Sequence, residues 1–219
     1  MDSLNKKQWL QQFKKNKLFY PDERIVSFLS KYYKNQGNRD KRALDAGFGS
    51  GRHLALLHDF DFVVHGIDYS EEIVDLAKIE FSDWGFDLRC ADISNNDYQK
   101  DFFDVVLCYG AIFLRTPSEM EADISNIYNL LNYGGKMIIN FRSKNNWFYG
   151  YGEQIEKNTY ILDERAKAYN KMTYTFLDED EAEQMLKKSG FSINNYEFYE
   201  LNKNKATELH SWHVFWVEK

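Results

Sequence analysis

The stretch Ala43-Leu44-Asp45-Ala46-Gly47-Phe48-Gly49-Ser50-Gly51-Arg52-His53 decides the fold. A short apolar run interrupted by one acid leads into three glycines at alternate positions, and from His53 to Leu57 apolar residues open a helix. That pattern reads as strand, glycine-rich turn, helix. Glycines let the backbone turn sharply and approach a bound molecule closely, because no Cβ intervenes. Their spacing separates ligand classes. A dinucleotide diphosphate is usually held by G-x-G-x-x-G at a helix N-terminus. Here the pattern is G-x-G-x-G, with Arg52 where the last glycine would fall. The acid before the turn, Asp45, would repel a diphosphate and favour an ammonium or a sulfonium.

Outward from this stretch the alternation repeats. Phe62-Val63-Val64-His65-Gly66-Ile67-Asp68 predicts the next strand, and Ser70 a helix cap followed by Glu71 and Glu72, where acids suit the helix dipole. Asp87 to Asp92 predicts a third strand. Phe103-Asp104-Val105-Val106-Leu107-Cys108-Tyr109 predicts a fourth, apolar on both faces as in a covered parallel sheet, with Asp104 as its starting residue. Ser118 with Glu121 predicts a capping box ahead of Ile124, Ile127, Leu130 and Leu131; Gly134-Gly135 then ends that helix before a strand from Lys136 to Phe141. Asp178 with Glu181 repeats the device, and Gly190 terminates the helix. Phe191 to Leu201 and Ser211 to Val217 have no helix between them, which predicts an antiparallel pair. Strands alternating with helices imply an α/β fold, a Rossmann-like doubly wound and mostly parallel sheet with helices on both faces.

Two segments lie outside this rhythm. Residues 3–20 form an amphipathic, lysine-rich arm, and Asp22 to Tyr33 carries apolar residues at helical spacing, so two helices are predicted ahead of the core. Residues 143–176 are rich in tyrosine and longer than an ordinary connection, as lids and binding loops often are. The organisation expected is one domain over 1–219: an arm or lid at 1–38, a ligand-binding core at 40–142, a substrate-cap insertion at 143–176, and the last helix with a terminal hairpin at 177–219.

Composition narrows the function. The 219 residues are 43% hydrophobic and 28% charged, enough for a continuous core with a solvated surface. The longest mostly apolar stretch, Val105 to Leu114, is far short of a membrane span, and the start shows no secretory signal, so a cytoplasmic location is expected. Cys90 and Cys108 fall in predicted strands without a metal-binding pattern; both read as small core residues, and no metal is expected. The net charge of −6 hides an asymmetry, with 11 Lys/Arg against 4 Asp/Glu in residues 1–42. Nucleic-acid binding by the whole protein is disfavoured, although the basic arm keeps a local version open. The aromatic content of 17% reads chiefly as compositional bias.

In open α/β sheets, ligands bind beyond the carboxyl ends of the strands at the switch in strand order. The predicted first three strands end near Asp45, Asp68 and Asp92. Asp68, 23 residues after Asp45, suits a carboxylate that accepts from two ribose hydroxyls. Asp92 suits an exocyclic amine, and Ile93 the cover of an apolar ring. His53 and His58 read as helix-surface or packing residues, and His210 and His213, on opposite faces of the last strand, as core or edge residues.

With these residues in place, the chain resembles the class I S-adenosylmethionine-dependent methyltransferases. The blocks carrying the resemblance are Ala43 to His53, Gly66-Ile67-Asp68-Tyr69-Ser70, Ala91-Asp92-Ile93 and Phe103 to Leu107, in order, within roughly residues 40–142. The tail from Phe176 to Glu218 is similar to the family's last helix and terminal hairpin. The resemblance implies a seven-stranded sheet with an antiparallel last strand, and S-adenosyl-L-methionine as cofactor. It implies Asp45, Gly47 and Gly49 near the methionine moiety, with Gly51 completing the turn. It further implies Asp68 on the ribose, Asp92 and Ile93 at the adenine, and Tyr109 and Gly110 beside the methionyl chain. The resemblance also puts Phe48 and Tyr69 near the cofactor, with a plain core role as the alternative for either.

Methyl transfer needs nucleophile, methyl carbon and sulfur in line, and a general base only where the acceptor must lose a proton. The sequence offers Tyr109, Arg142 and Tyr151 by location, with Tyr149 beside them and Tyr20 as a residue that closes over the cofactor. The Asn/Asp-Pro-Pro-aromatic turn of DNA amino-methylating enzymes is replaced by Cys108-Tyr109-Gly110-Ala111, and neither cysteine follows a proline as in carbon-5 pyrimidine methylation. The expectation is O- or N-methylation of a small molecule held under the arm and the 143–176 segment, by a monomer or homodimer. The alternatives are an RNA or protein methyltransferase that grips its target through the basic arm, and a catalytically silent cofactor-binding protein.

Overall fold

The computed structural model describes Leu10 and residues 17–219. Five parallel strands make its centre: β1 (Arg42–Ala46), β2 (Val63–Asp68), β3 (Asp87–Cys90), β4 (Phe103–Cys108) and β5 (Leu131–Ser143). They stand in the order β3-β2-β1-β4-β5. After β3 the chain returns to the far side of β1, so the order reverses between β1 and β4. β9 (Ser192–Lys203) and β10 (Glu208–Glu218) complete the row, with β10 antiparallel to both β5 and β9. Among the described residues these seven strands match the row with an antiparallel last strand that the sequence implies, and three further strands, described below, extend the sheet from β5 to ten.

Residue alternation along the strands assigns the two faces. Leu44, Ala46, Val106, Cys108, Met137 and Ile139 point into one core layer, while Ala43, Val105, Leu107 and Ile138 point into the other. The second layer is covered by α1 (Glu23–Tyr33), α2 (Arg52–Asp59) and α3 (Glu71–Glu80), which bury Phe28, Leu54 and Ile73. The first is covered by α4 (Pro117–Leu130) and α5 (Glu179–Lys188) through Ile124, Ile127 and Leu186. Gly66 is required by this packing, because a Cβ there would stand 2.8 Å from the Phe48 ring and 2.9 Å from Leu88.

Residues 143–176 contribute a small antiparallel sheet. β6 (Glu153–Glu156) pairs with β7 (Thr159–Ile161), and β7 with β8 (Thr173–Leu177). β8 docks in parallel on Arg142 and Ser143, past the point where β4 has stopped. This cap has a core of its own, in which Phe148, Tyr174 and Phe176 pack together beside Phe113 and Leu114. The predicted lid is thus a built platform over the end of β5.

Several sequence expectations are corrected. The box that starts α4 is Thr116 with Glu119, the Thr116 N–H donating to Glu119 Oε2 at 2.9 Å, and not Ser118 with Glu121. Pro117 decides this, since proline is preorganised for the first helical position and leaves the preceding residue as cap. Gly134-Gly135 does not end the helix: α4 stops at Leu130, and the glycines lie inside β5, where Gly134 N–H donates to the Lys219 carbonyl and Gly135 accepts from Lys219. Ser70 precedes α3 but its side chain makes no cap; Asp68 Oδ1 takes the Ser70 N–H instead, at 3.0 Å. The third strand ends at Cys90, and Cys90 is exposed, so only Cys108 is a core residue. The Asp178–Glu181 box of α5 and the helix after Asp22 stand as predicted. The first predicted helix of the arm lies largely outside the described residues.

Candidate active site

The loops after β1, β2, β3 and β4 meet over the switch in strand order. Gly47 turns with φ +82°, and a Cβ on it would lie 2.6 Å from Ala111 Cβ, so the β1 and β4 loops touch where only glycine fits. Gly110 turns with φ +90° and faces open space. Its N–H donates to Asn140 Oδ1 at 2.8 Å, which ties the β4 loop to β5.

Two cavities open here, and Gly47 and Gly110 line both. The smaller is a mainly apolar recess between Ile67, Asp68, Tyr69, Ile93, Ala111 and Leu114. The larger, about 620 Å³, runs from Phe48, Gly49 and His53 past Tyr109 to Arg142 and Trp212. Leu18 and Asp22 from the N-terminal segment form one wall, and Tyr169, Met172 and Tyr174 from the cap another.

The acids of the first two strands are both buried and differ in state. Asp68 Oδ2 accepts from Gly49 N–H at 3.1 Å and Oδ1 from Ser70 N–H, so one carboxylate holds both the glycine turn and the start of α3. Asp45 is 1% exposed, and its Oδ2 accepts no hydrogen bond. Burial pushes its pKa up to about 7, with Asp68 adding to the shift and Arg52 opposing it. Beside it, His53 is held neutral with a pKa of about 3, first by burial and then by Arg52. His53 Nε2 accepts from the Asp22 N–H at 3.4 Å, which turns Nδ1 towards Asp45.

The remaining predicted residues separate. Phe48, Gly49 and Tyr109 line the larger cavity; Tyr69 and Ile93 line the recess. Gly51 lines neither: it is the left-handed residue before α2 and packs against Phe81, where a Cβ would lie 2.6 Å from the ring. Asp92 is also absent from both linings. Its Oδ1 accepts from Ser94 and pairs with Arg115, and Arg115 rather than Asp92 reaches the recess. Arg115 is in turn held by Asp123 at 3.1 Å and Glu119 at 3.7 Å.

Of the candidates for the reacting group, Tyr109 and Arg142 face the larger cavity and Tyr151 does not; its ring lies under Arg165 at 4.7 Å. Tyr149 donates to Asn158 at 3.0 Å within the cap and also lies off the cavity. Burial, reinforced by Asp22, pushes the Tyr109 phenol above its ordinary range, and its oxygen accepts from Arg24 Nε at 3.2 Å. Tyr20 does not close over the site. Its side chain is 85% exposed, and it is the Tyr20 carbonyl that is used, accepting from Arg52.

Among the lining residues that sequence reasoning missed are Arg115, His53, Asn140 and Asp22. His53 was read as packing, yet it faces both the cavity and Asp45. Asn140 is a buried amide in the otherwise apolar run Met137 to Phe141, a signal visible in the sequence. Asp22 was legible only as a cap.

The strand order, the glycine turn at its reversal and the buried acids beyond β1 and β2 define a class I S-adenosylmethionine-dependent methyltransferase fold. A family model described as a methyltransferase domain matches residues 43–135. A ubiquinone biosynthesis O-methyltransferase of Coxiella burnetii is 29% identical over 109 residues, 49% of this chain and 46% of that protein, so the chain spans about half the length of the curated relatives it matches. A crystal structure of an S-adenosylmethionine-dependent methyltransferase from Methanosarcina mazei superposes with a TM-score of 0.73 at 19% identity, covering 91% of this chain and 98% of that one. A 1,6-didemethyltoxoflavin-N1-methyltransferase from Burkholderia thailandensis, solved with its substrate and S-adenosylhomocysteine, gives 0.71 at 18% identity, with 99% and 88% covered. Among the described residues, no helix is long and apolar enough to cross a membrane.

Proposed function

We propose that the protein methylates a small-molecule acceptor at oxygen or nitrogen, by in-line displacement from S-adenosyl-L-methionine. The observation that carries this reading is the pair of cavities joined at Gly47 and Gly110: a narrow apolar recess opening into a roomy, aromatic one. The recess suits a planar adenine between Ile93 and Leu114, with Asp68 beside it for ribose hydroxyls. Asp68 Oδ2 accepts from Gly49 N–H and Oδ1 from Ser70 N–H, which fixes the carboxylate at the mouth of the recess. Asp45 lines neither cavity and its orphaned oxygen is buried behind the glycine turn, so it acts on a bound cation only through its charge, which a nearby ammonium or sulfonium would favour.

When bound, the cofactor supplies a methyl group on a positively charged sulfur. The protein's part is to hold the acceptor against it and keep water out, and such positioning supplies about 7–11 kcal/mol of the barrier. The larger cavity gives the walls for this: the N-terminal segment at Leu18 and Asp22, and the cap at Tyr169, Met172 and Tyr174. Among the lining residues Tyr109, Tyr174 and His53 are poorly suited to take a proton near neutrality, and the carboxylate of Asp22 is held by Arg24. Burial raises the phenols of Tyr109 and Tyr174, and His53 is neutral with its Nε2 occupied. This supports an acceptor that is nucleophilic without a base, such as an amine or an acidic hydroxyl.

The test is incubation with isotope-labelled S-adenosylmethionine and fractionated cell metabolites, followed by mass spectrometry of labelled products. A labelled small molecule supports the reading. Label found only in RNA or protein moves the function to a macromolecular target, and saturable cofactor binding with no labelled product would leave a binding protein.

A further inference from the structure

Arg142 is a buried cation without a counter-charge. It lies at the carboxyl end of β5, is 5% exposed, and lines the larger cavity. Its surroundings are aromatic: the guanidinium carbon stands 4.4 Å from the Trp212 ring centroid, 5.1 Å from Phe113 and 5.5 Å from Phe148. The Tyr174 phenol hydrogen-bonds it, but Nε and Nη1 have no partner, and among the described residues Arg142 forms no ion pair. A guanidinium cannot shed its proton to escape burial, so two donor nitrogens and a full charge are left unsatisfied.

The same chain shows what a balanced buried arginine looks like. Arg115, 6% exposed, is surrounded by Asp92, Asp123 and Glu119. Nothing comparable faces Arg142. Among the described residues of the larger cavity the one carboxylate is Asp22, and Arg24 already holds it at 2.7 Å. Arg52 and Lys203 add two further cations to the lining. His210, packed on Trp212, is kept neutral with a pKa of about 4, first by burial and then by the charge on Arg142.

Resting on the reading above, we infer that the acceptor is a planar or aromatic molecule bearing an oxyanion, a carboxylate or a phosphate, whose charge balances that of Arg142 in the cavity wall while the aromatic walls take the ring. The planar fork of a guanidinium matches such groups in two parallel hydrogen bonds. The position agrees with the geometry of transfer: Arg142 lies beyond β4, on the side of Gly110 away from the recess, so an anchored anion holds the far end of the acceptor while its nucleophile faces the donor. The oxyanion has one rival source, the cofactor's own carboxylate, and the test separates the two.

The experiment is a binding screen by saturation-transfer NMR and calorimetry, with S-adenosylhomocysteine present and absent. It uses benzoates and phenyl phosphates matched against amides and methyl esters of the same rings, on the wild-type chain, Arg142→Lys, Arg142→Gln and Arg142→Met. The expected result is a preference for the anionic member of each pair, at least tenfold, weakened in Arg142→Lys and abolished in Arg142→Gln. Without ligand, Arg142→Met is expected to melt at or above the wild-type temperature, because it removes an uncompensated charge. No anion preference in the wild type, an unchanged preference in Arg142→Gln, or a clear fall in the melting temperature of Arg142→Met overturns the inference. So does a tenfold loss of S-adenosylhomocysteine affinity in Arg142→Gln with the acid preference intact, which assigns the arginine to the cofactor. The methyltransferase reading fails separately, through absence of S-adenosylhomocysteine binding to the wild type, a result that leaves the anion screen readable.

Discussion

His53 Nδ1 stands 3.9 Å from Asp45 Oδ2, and both side chains are almost wholly buried. The imidazole is neutral and the carboxyl titrates near 7, so the pair carries no full ion-pair charge at neutral pH. Asp45 has an ordinary value of 3.8 and a raised folded value, so folding takes up a proton between the two. Its contribution to stability is complete below the lower value and is lost as pH rises through about 7. Asp45→Asn keeps the neutral shape, and is expected to stabilise the ligand-free protein at pH 8 by on the order of 2–4 kcal/mol, each pKa unit being worth about 1.4 kcal/mol. At pH 4 the gain disappears. Denaturant melts of both proteins at the two pH values check this, and a constant difference across pH contradicts it. Calorimetry in buffers of different ionisation enthalpy then checks whether S-adenosylmethionine binding releases a proton in the wild type and none in Asp45→Asn.

Asp68 holds Gly49 N–H and Ser70 N–H with its two oxygens. Its loss is expected both to loosen the turn and to remove the ribose acceptor. Asp68→Ala is expected to weaken S-adenosylhomocysteine binding by about 1.5–3 kcal/mol, the scale of hydrogen bonds to a charged group. Calorimetry on the folded variant measures it, and unchanged affinity refutes the assignment.

Gly47 approaches Ala111 too closely for any side chain and has positive φ. Gly47→Ala is expected to lower stability by about 1–3 kcal/mol and to abolish cofactor binding. Adding Ala111→Gly removes the steric part and leaves the backbone strain, so the double variant should recover stability in part. Full additivity of the two substitutions in denaturant melts would show that the loops do not press on each other.

Cys90 is exposed, while Cys108 is buried with its thiol pushed up by burial. A thiol reagent at pH 8 is expected to modify one cysteine in the native protein and both after denaturation. Peptide mapping should find the native label on Cys90.

The strands and the glycine turn at the site could be read ahead of the structure because their signals are local. Asp45, Gly47 and Asp68 owe their places to strand periodicity and to conformations only glycine adopts easily, so spacing alone put them at successive strand ends. The capping of α4 was misread because two Ser/Thr-x-x-Glu patterns overlap there, and Pro117 favours the earlier one. His53 and Arg142 were harder. One is a helix residue and the other a strand residue like many others, and nothing nearby in sequence tells what packs against them.

The amino-acid order by itself determined the strands and helices, the glycine turn and the acids at the strand ends, since each depends on a residue's own conformational preference and its near neighbours. Only tertiary structure decided which charges are balanced. Arg115 acquires Asp92 and Asp123 from separate elements, whereas Arg142 is enclosed by rings from β10, the cap and the loop after β4. Electrostatic energy depends on distance and desolvation, and both are set where distant segments of the chain meet.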